Sequence, residues 1–204
     1  MKSNNKLREK FIAATQAVKA LLPQNVTKEQ AKEIIARYTA AFEGNFVAWM
    51  AASAIAAQTV QGRYAAEENI EVEMRDNHPG MLRKFSQSSN AAPSKEHYEE
   101  ISKNIEEIRT LVGELNGVKS IALMTYLENT SAVFIPYLAQ LAKRLGCIDF
   151  TYTDVHGVAD VDHADQFLWA LQHEIKKDPK GMGTVEEVFQ KAENFLRVIF
   201  QGAR

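Results

Sequence analysis

Apolar positions recur at three- and four-residue intervals along nearly the whole chain, and no run of alternating β-branched residues is long enough to seed a sheet. The pattern predicts an all-α protein. A first helix covers about residues 4–22 and stops at Pro23, and Thr27 with Gln30 forms a capping box for a second over 28–43. Glu43, Gly44 and Asn45 break that helix. The third, over about 46–77, is unusually long, and its first half is rich in alanine, which lets neighbouring backbones come close. Pro79 and Gly80 mark its end. Residues 86–93, with three serines, an asparagine and a proline, read as loop. Pro93 and Ser94 open a charged helix to about Asn116, ended by Gly117. Two apolar helices follow over about 118–145 and 155–177, divided by Gly146, Cys147 and Ile148. After Pro179 and Gly181, Thr184 with Glu187 predicts a second capping box, for the seventh and last helix.

Seven helices and 204 residues fit one domain spanning 1–204. A hydrophobic fraction of 46% and a charged fraction of 25% supply a sizeable core and exclude global disorder. The formal net charge of −2, with no Lys/Arg run beyond a doublet, leaves no electrostatic footprint for nucleic acid. Residues 44–62 carry no charge, which raises the question of a membrane span. Asn45, Ser53, Gln58, Thr59 and Gln61 place that stretch in a protein interior instead. The single cysteine, Cys147, and a charged first ten residues predict a reducing, cytoplasmic location. Apolar helix faces in excess of one core make a homodimer plausible.

The five histidines narrow the chemistry, because all lie after position 77. On a helix, Asp160 lies roughly 40° from His156 and His163 about 20° to its other side, so the three share a face. Glu71 and His78 are seven apart and share another face, about 10 Å apart along the axis, a gap that two ions rather than one could span. Glu67 and Glu68 lie within about 40° and 60° of the Glu71 face, so a one-turn shift is an alternative. Arg75, four residues on from Glu71, could pair with it on a solvated face or hold a substrate carboxylate. Glu128 is the only charge between Lys119 and Lys143, and a carboxylate in so apolar a helix is costly unless paired or metal-bound. Imidazole and carboxylate ligands on facing helices suit iron or manganese. The Glu-x-x-His signature of ferritin-like bundles is absent.

The order Glu-x6-His, a lone Glu some fifty residues later, then His-x3-Asp-x2-His resembles the haem-oxygenase-like di-iron oxidases and oxygenases, from about Met50 to Glu174. The resemblance implies a seven-helix haem-oxygenase-like bundle in which Glu71, His78, Glu128, His156, Asp160 and His163 ligate a pair of Fe(II) ions, the second labile. Glu128 would bridge, Glu71 and His163 would complete one ion, and His78, His156 and Asp160 the other. Glu71, Glu128 and Asp160 are the carboxylates that would carry the chemistry, with O2 as cosubstrate and a small-molecule substrate that is amino-acid-like or another carboxylate. N-oxygenation and oxidative C–C cleavage both occur on this scaffold, and fold alone does not choose between them. True haem oxygenases carry a proximal His near the N-terminus, which this chain lacks. The alternative on the same scaffold is a cofactor-free or thiaminase-like hydrolase or binding protein, and the thiaminase-like relatives depend on a cysteine.

Overall fold

The apolar stretch predicted over 118–145 forms a 29-residue helix, Gly117–Leu145, roughly 44 Å long, and it organises the molecule. From Ile121 to Glu128 every side chain is buried, so this helix is covered on all sides rather than on one stripe. Pro136 sits inside it at an exposed position. The carbonyl that loses its donor, that of Ala132, is on the same exposed face and can be hydrated.

The computed structural model describes residues 2–203, with side chains from Leu7 onward except those of residues 157–162. In chain order the helices are α1 (Lys2–Leu21), α2 (Lys28–Phe42), α3 (Asn45–Ala56), α4 (Val60–Arg75), α5 (His78–Ser88), α6 (Lys95–Gly113), α7 (Gly117–Leu145), α8 (Thr151–Lys177) and α9 (Val185–Gln201), with a single 3-10 turn at Pro179–Gly183. No strand occurs among the described residues, and the protein is all-α. α8 packs along α7, α4 and α5 lie against α8, and α1, α2, α3 and α9 cover the rest of α7. Phe42 stacks on Tyr38 at 4.6 Å and meets Phe134 at 6.4 Å and Phe195 at 5.7 Å, so α2, α7 and α9 share one aromatic core. No described helix is long and apolar enough to cross a membrane.

The sequence pattern predicts seven helices, and two causes account for the nine among the described residues. The long third helix is broken at Ala57–Thr59 by a residue far along the chain. The buried carboxylate of Glu174, on α8, accepts hydrogen bonds from Gln58 N at 3.0 Å, Thr59 N at 2.8 Å and Thr59 Oγ1 at 2.6 Å. It thereby satisfies free amides at the start of α4, whose dipole favours an anion there. Thr59 caps the same end by accepting from Gly62 N at 3.0 Å. The second cause is Pro79. Read as a helix end, it stands instead in the first turn of α5, where a missing N–H is harmless. Asn77 turns the chain into α5 with φ 55°, and its side chain accepts from Gly80 N at 3.2 Å. At α9 the predicted box does not form: Thr184 Oγ1 donates to Gly181 O at 2.8 Å rather than capping.

Gly117 begins α7 directly beneath the Glu174 clamp. A Cβ there would run into the Glu174 carboxylate and stand 3.0 Å from Ala56 O. Gly117→Ala is expected to destabilise the protein by about 1–3 kcal/mol through forced displacement of packed groups, seen as a lower urea midpoint at unchanged slope. An unchanged midpoint would show that α7 can slide away from α3 at no cost.

Candidate metal centre

The buried positions of α4, namely Gly62, Ala65, Ala66, Asn69 and Glu73, follow three- and four-residue steps that hold one face against α8. Asn69 fastens that face by donating to Gln166 Oε1 at 2.8 Å. The next position inward is Glu73, which projects toward the first residue of α5, His78. His78 Nδ1 donates to Glu73 Oε1 at 2.9 Å, with the two side chains 2% and 7% exposed. From α8, His156 Nε2 reaches the same Oε1 at 3.7 Å, and its ring lies 4.6 Å from that of His78. His156 Nδ1 donates to Tyr152 O at 2.8 Å, which fixes the ring and leaves Nε2 turned to the carboxylate. One donor atom each from Glu73, His78 and His156 lies within 4.8 Å of the others.

Two more expected residues stand close by. Glu128 on α7 is buried, and His163 Nδ1 on α8 lies 4.0 Å from its Oε2. Glu73, His78, Glu128 and His156 line one end of a cavity of about 40 Å³ whose other walls are largely apolar. The side chain of Asp160, the remaining expected ligand on α8, lies outside the described residues.

Glu71 is not brought to this set. The expected Glu71–His78 pairing requires one continuous helix through position 78, but α4 ends at Arg75 and Asn77 redirects the chain, so the seven-residue spacing no longer defines a face. Glu71 is exposed, about 200° around the helix from Glu73, and Glu73 stands where Glu71 was expected. Glu67 and Glu68 are exposed too. Arg75 is bound to Asp76 at 3.0 Å and points outward, so it holds nothing in the cavity. The sequence signal for Glu73 was present in the small residues Ala65 and Ala66 followed by Asn69, whose four-residue step leads to 73.

The electrostatics suit a cation. Burial raises the Glu73 carboxyl pKa, but the adjacent imidazoles of His156 and His78, the latter hydrogen-bonded to it, together outweigh burial and hold the group at about 2. Burial lowers the His163 pKa, which keeps the ring neutral and its lone pair free at neutral pH. His78 Nε2 is a buried nitrogen with no hydrogen-bond partner in this structure, an arrangement that costs free energy unless something binds there. Imidazole nitrogen with carboxylate oxygen is a donor set for iron or manganese, and these residues fit such an ion.

Both shifts carry the same sign for stability. A depressed folded pKa means that the unfolded chain takes up the proton first, so the contribution is full above the ordinary value and is lost on acidification. Without metal, the urea midpoint is expected to fall as pH drops below 6.5 through His163, and again from 4.5 toward about 2 through Glu73. A midpoint that rises on acidification below pH 6.5 contradicts this assignment of charge.

The remaining two histidines and the cysteine lie elsewhere. His97 pairs with Glu33 at 3.0 Å, and His173 packs on Trp169 at 5.0 Å. Cys147 is buried with its Sγ 3.4 Å from Ser88 Oγ and does not line the cavity. No curated protein matches the chain. Residues 35–198 match the family described as iron-containing redox enzyme, a span that takes in every donor from Glu73 to His163. On that match, and on a helical scaffold of the haem-oxygenase-like type, the chain belongs to the iron-containing redox enzyme family.

Proposed function

We propose that this protein is a non-haem, O2-dependent oxidase or oxygenase that holds a pair of Fe(II) ions and oxidises a small molecule in the adjoining cavity. The observation that carries this reading is the buried Glu73–His78–His156 set with an unpaired His78 Nε2 at the cavity end. Glu73, His78 and His156 would hold one ion, and Glu128 and His163, with Asp160 one turn along α8, the other. Bound Fe(II) supplies the electrons that reduce dioxygen.

The chain's own residues prepare that chemistry. Tyr152, through its carbonyl, fixes the orientation of His156. The carboxylates of Glu73 and Glu128 would offset cation charge in a site walled on its inner side by the buried Phe42, Leu127 and Phe134. The hydroxyls of Tyr38 and Tyr152 lie 2.7 Å apart on the cavity wall, one donating to the other, and can hold or pass a proton at that point. The thiaminase-like alternative finds no cysteine on this wall among the described residues.

The test is anaerobic titration with Fe(II), followed by admission of oxygen. Uptake of about two Fe(II) per chain, with oxygen then consumed and a visible absorption band appearing, is expected. Stoichiometric zinc that iron cannot displace, or iron uptake without oxygen consumption, overturns the proposal.

A further inference from the structure

The faces that α1 and α9 turn toward each other do not close. On α1, Lys10, Ala13, Ala14 and Ala17 recur at three- and four-residue steps, so they form one helix face. Glu186, Phe189, Gln190 and Glu193 do the same on α9. Three methyl side chains facing a phenyl ring leave a cleft of about 180 Å³. An apolar cavity of roughly 150 Å³ is large enough to hold a benzene ring. Lys10 is paired with Glu186 across the cleft, which ties the two helices together there.

α7 supplies the inner wall. Tyr126 is 1% exposed and its ring meets Phe189 edge-on at 5.0 Å, yet its hydroxyl has no hydrogen-bond partner. A buried hydroxyl in that state costs free energy unless something binds it. Burial, reinforced by the Glu193 carboxylate, pushes the Tyr126 pKa up, so the oxygen keeps its proton and is a donor. Glu193 Oε1 accepts from Arg197 Nη2 at 2.6 Å, and its Oε2 takes no hydrogen bond among the described residues. The cleft therefore offers one O–H donor, one carboxylate acceptor and a ring-sized apolar gap. Tyr126 and Glu128 are about 200° apart around α7, so the cleft and the candidate metal centre lie on opposite sides of that helix.

We infer that this cleft binds a single-ring carboxamide, its ring lying between the α1 alanines and Phe189, its carbonyl accepting from Tyr126 and its N–H donating to Glu193. Such a molecule meets both polar groups, whereas a hydrocarbon ring meets neither and a ring carboxylate would face Glu193 as a like charge. The site is separate from the iron-oxidase reading and stands whether or not the chain takes up metal.

The test is calorimetric titration of the full chain with benzamide, acetophenone and toluene, repeated on three variants. Tyr126→Phe keeps the ring and removes the unpartnered hydroxyl, so it is expected to melt no lower than the unmodified protein. Its affinity for benzamide and acetophenone is expected to fall about three- to tenfold, with toluene unchanged. Glu193→Gln is expected to weaken benzamide by about threefold and to leave acetophenone alone, because a charge-assisted bond becomes at best a neutral one. Ala17→Leu, which fills the cleft from α1, is expected to weaken all three ligands by at least about tenfold, and it decides the matter if Tyr126→Phe melts early. No benzamide binding at millimolar concentration overturns the inference, as does benzamide affinity that Tyr126→Phe and Ala17→Leu leave unchanged. A loss of toluene equal to that of benzamide in Tyr126→Phe marks a packing effect and overturns it too. Benzamide is expected to bind equally with and without Fe(II); binding that appears only with Fe(II) places the ring at the metal centre and sinks this inference alone.

Discussion

Glu73→Gln is expected to lower iron affinity by at least about 100-fold while leaving the metal-free fold intact, and Glu71→Gln to leave iron uptake at the level of the unmodified protein. Losing an outer partner of a metal ligand costs roughly 10–100-fold, and Glu73 is placed as a ligand itself. Glutamine keeps an oxygen that can accept from His78 Nδ1, now 2.9 Å from Glu73 Oε1, so the buried imidazole is not stranded. What disappears is the anionic charge that an ion needs. Glu71, exposed on the opposite side of α4, has no such role in this geometry. Iron content after anaerobic loading, together with circular dichroism of the unloaded variants, checks both halves. The reverse result, with Glu71→Gln losing iron and Glu73→Gln keeping it, would mean that α4 runs unbroken through 76 and 77 when metal is bound. His78 would then lie on the Glu71 face, and the Glu73 assignment would fail.

That pair of carboxylates also shows how far the sequence could be read. Periodicity and caps located the cores of seven helices because each depends on neighbours within a few residues. Thr27 and Gln30 cap α2 in this structure as their spacing predicts. The same local rules failed where a distant residue decides. Nothing near Gln58 announces that Glu174, more than a hundred positions later, will take its amide and split the long helix in two. Pro79 was legible as a helix boundary but not as a beginning rather than an end, since that depends on Asn77 adopting φ 55°. His78, Glu128, His156 and His163 could be singled out because imidazoles are few and a lone carboxylate in an apolar helix is conspicuous. Glu71 rests on a seven-residue spacing to His78 that carries helical geometry across a break, and Glu73 is not singled out by that spacing. The cavity was not legible for a related reason: its wall gathers residues from α2, α3, α4, α5, α7 and α8, and that lining is invisible until they are assembled.

Glu128→Leu is expected to make the metal-free protein more stable and the enzyme inactive. The carboxylate is buried in the middle of α7, where residues 121–127 are buried on every side. A carboxylate held there carries a desolvation cost, and replacing a buried ion by a well-packed apolar residue of similar volume is often neutral or stabilising. His163, 4.0 Å away, is held toward its neutral form by burial, so deleting Glu128 leaves no charged imidazole there. Leucine is close in volume and belongs in such a helix. A gain of about 1–2 kcal/mol in urea unfolding without metal is therefore expected, with iron content at least halved and oxygen consumption reduced to background. Glu128→Ala separates charge from packing, because it removes the anion but leaves a void and should not share the gain. A loss of stability in Glu128→Leu would show that the carboxylate supports the fold on its own account. It would then be no evidence of a metal centre, and the case for a second ion would rest on His163 and Asp160 alone. A gain in stability joined to a loss of iron identifies a group retained against the interest of the fold, which is the expected signature of a ligand in an apolar core.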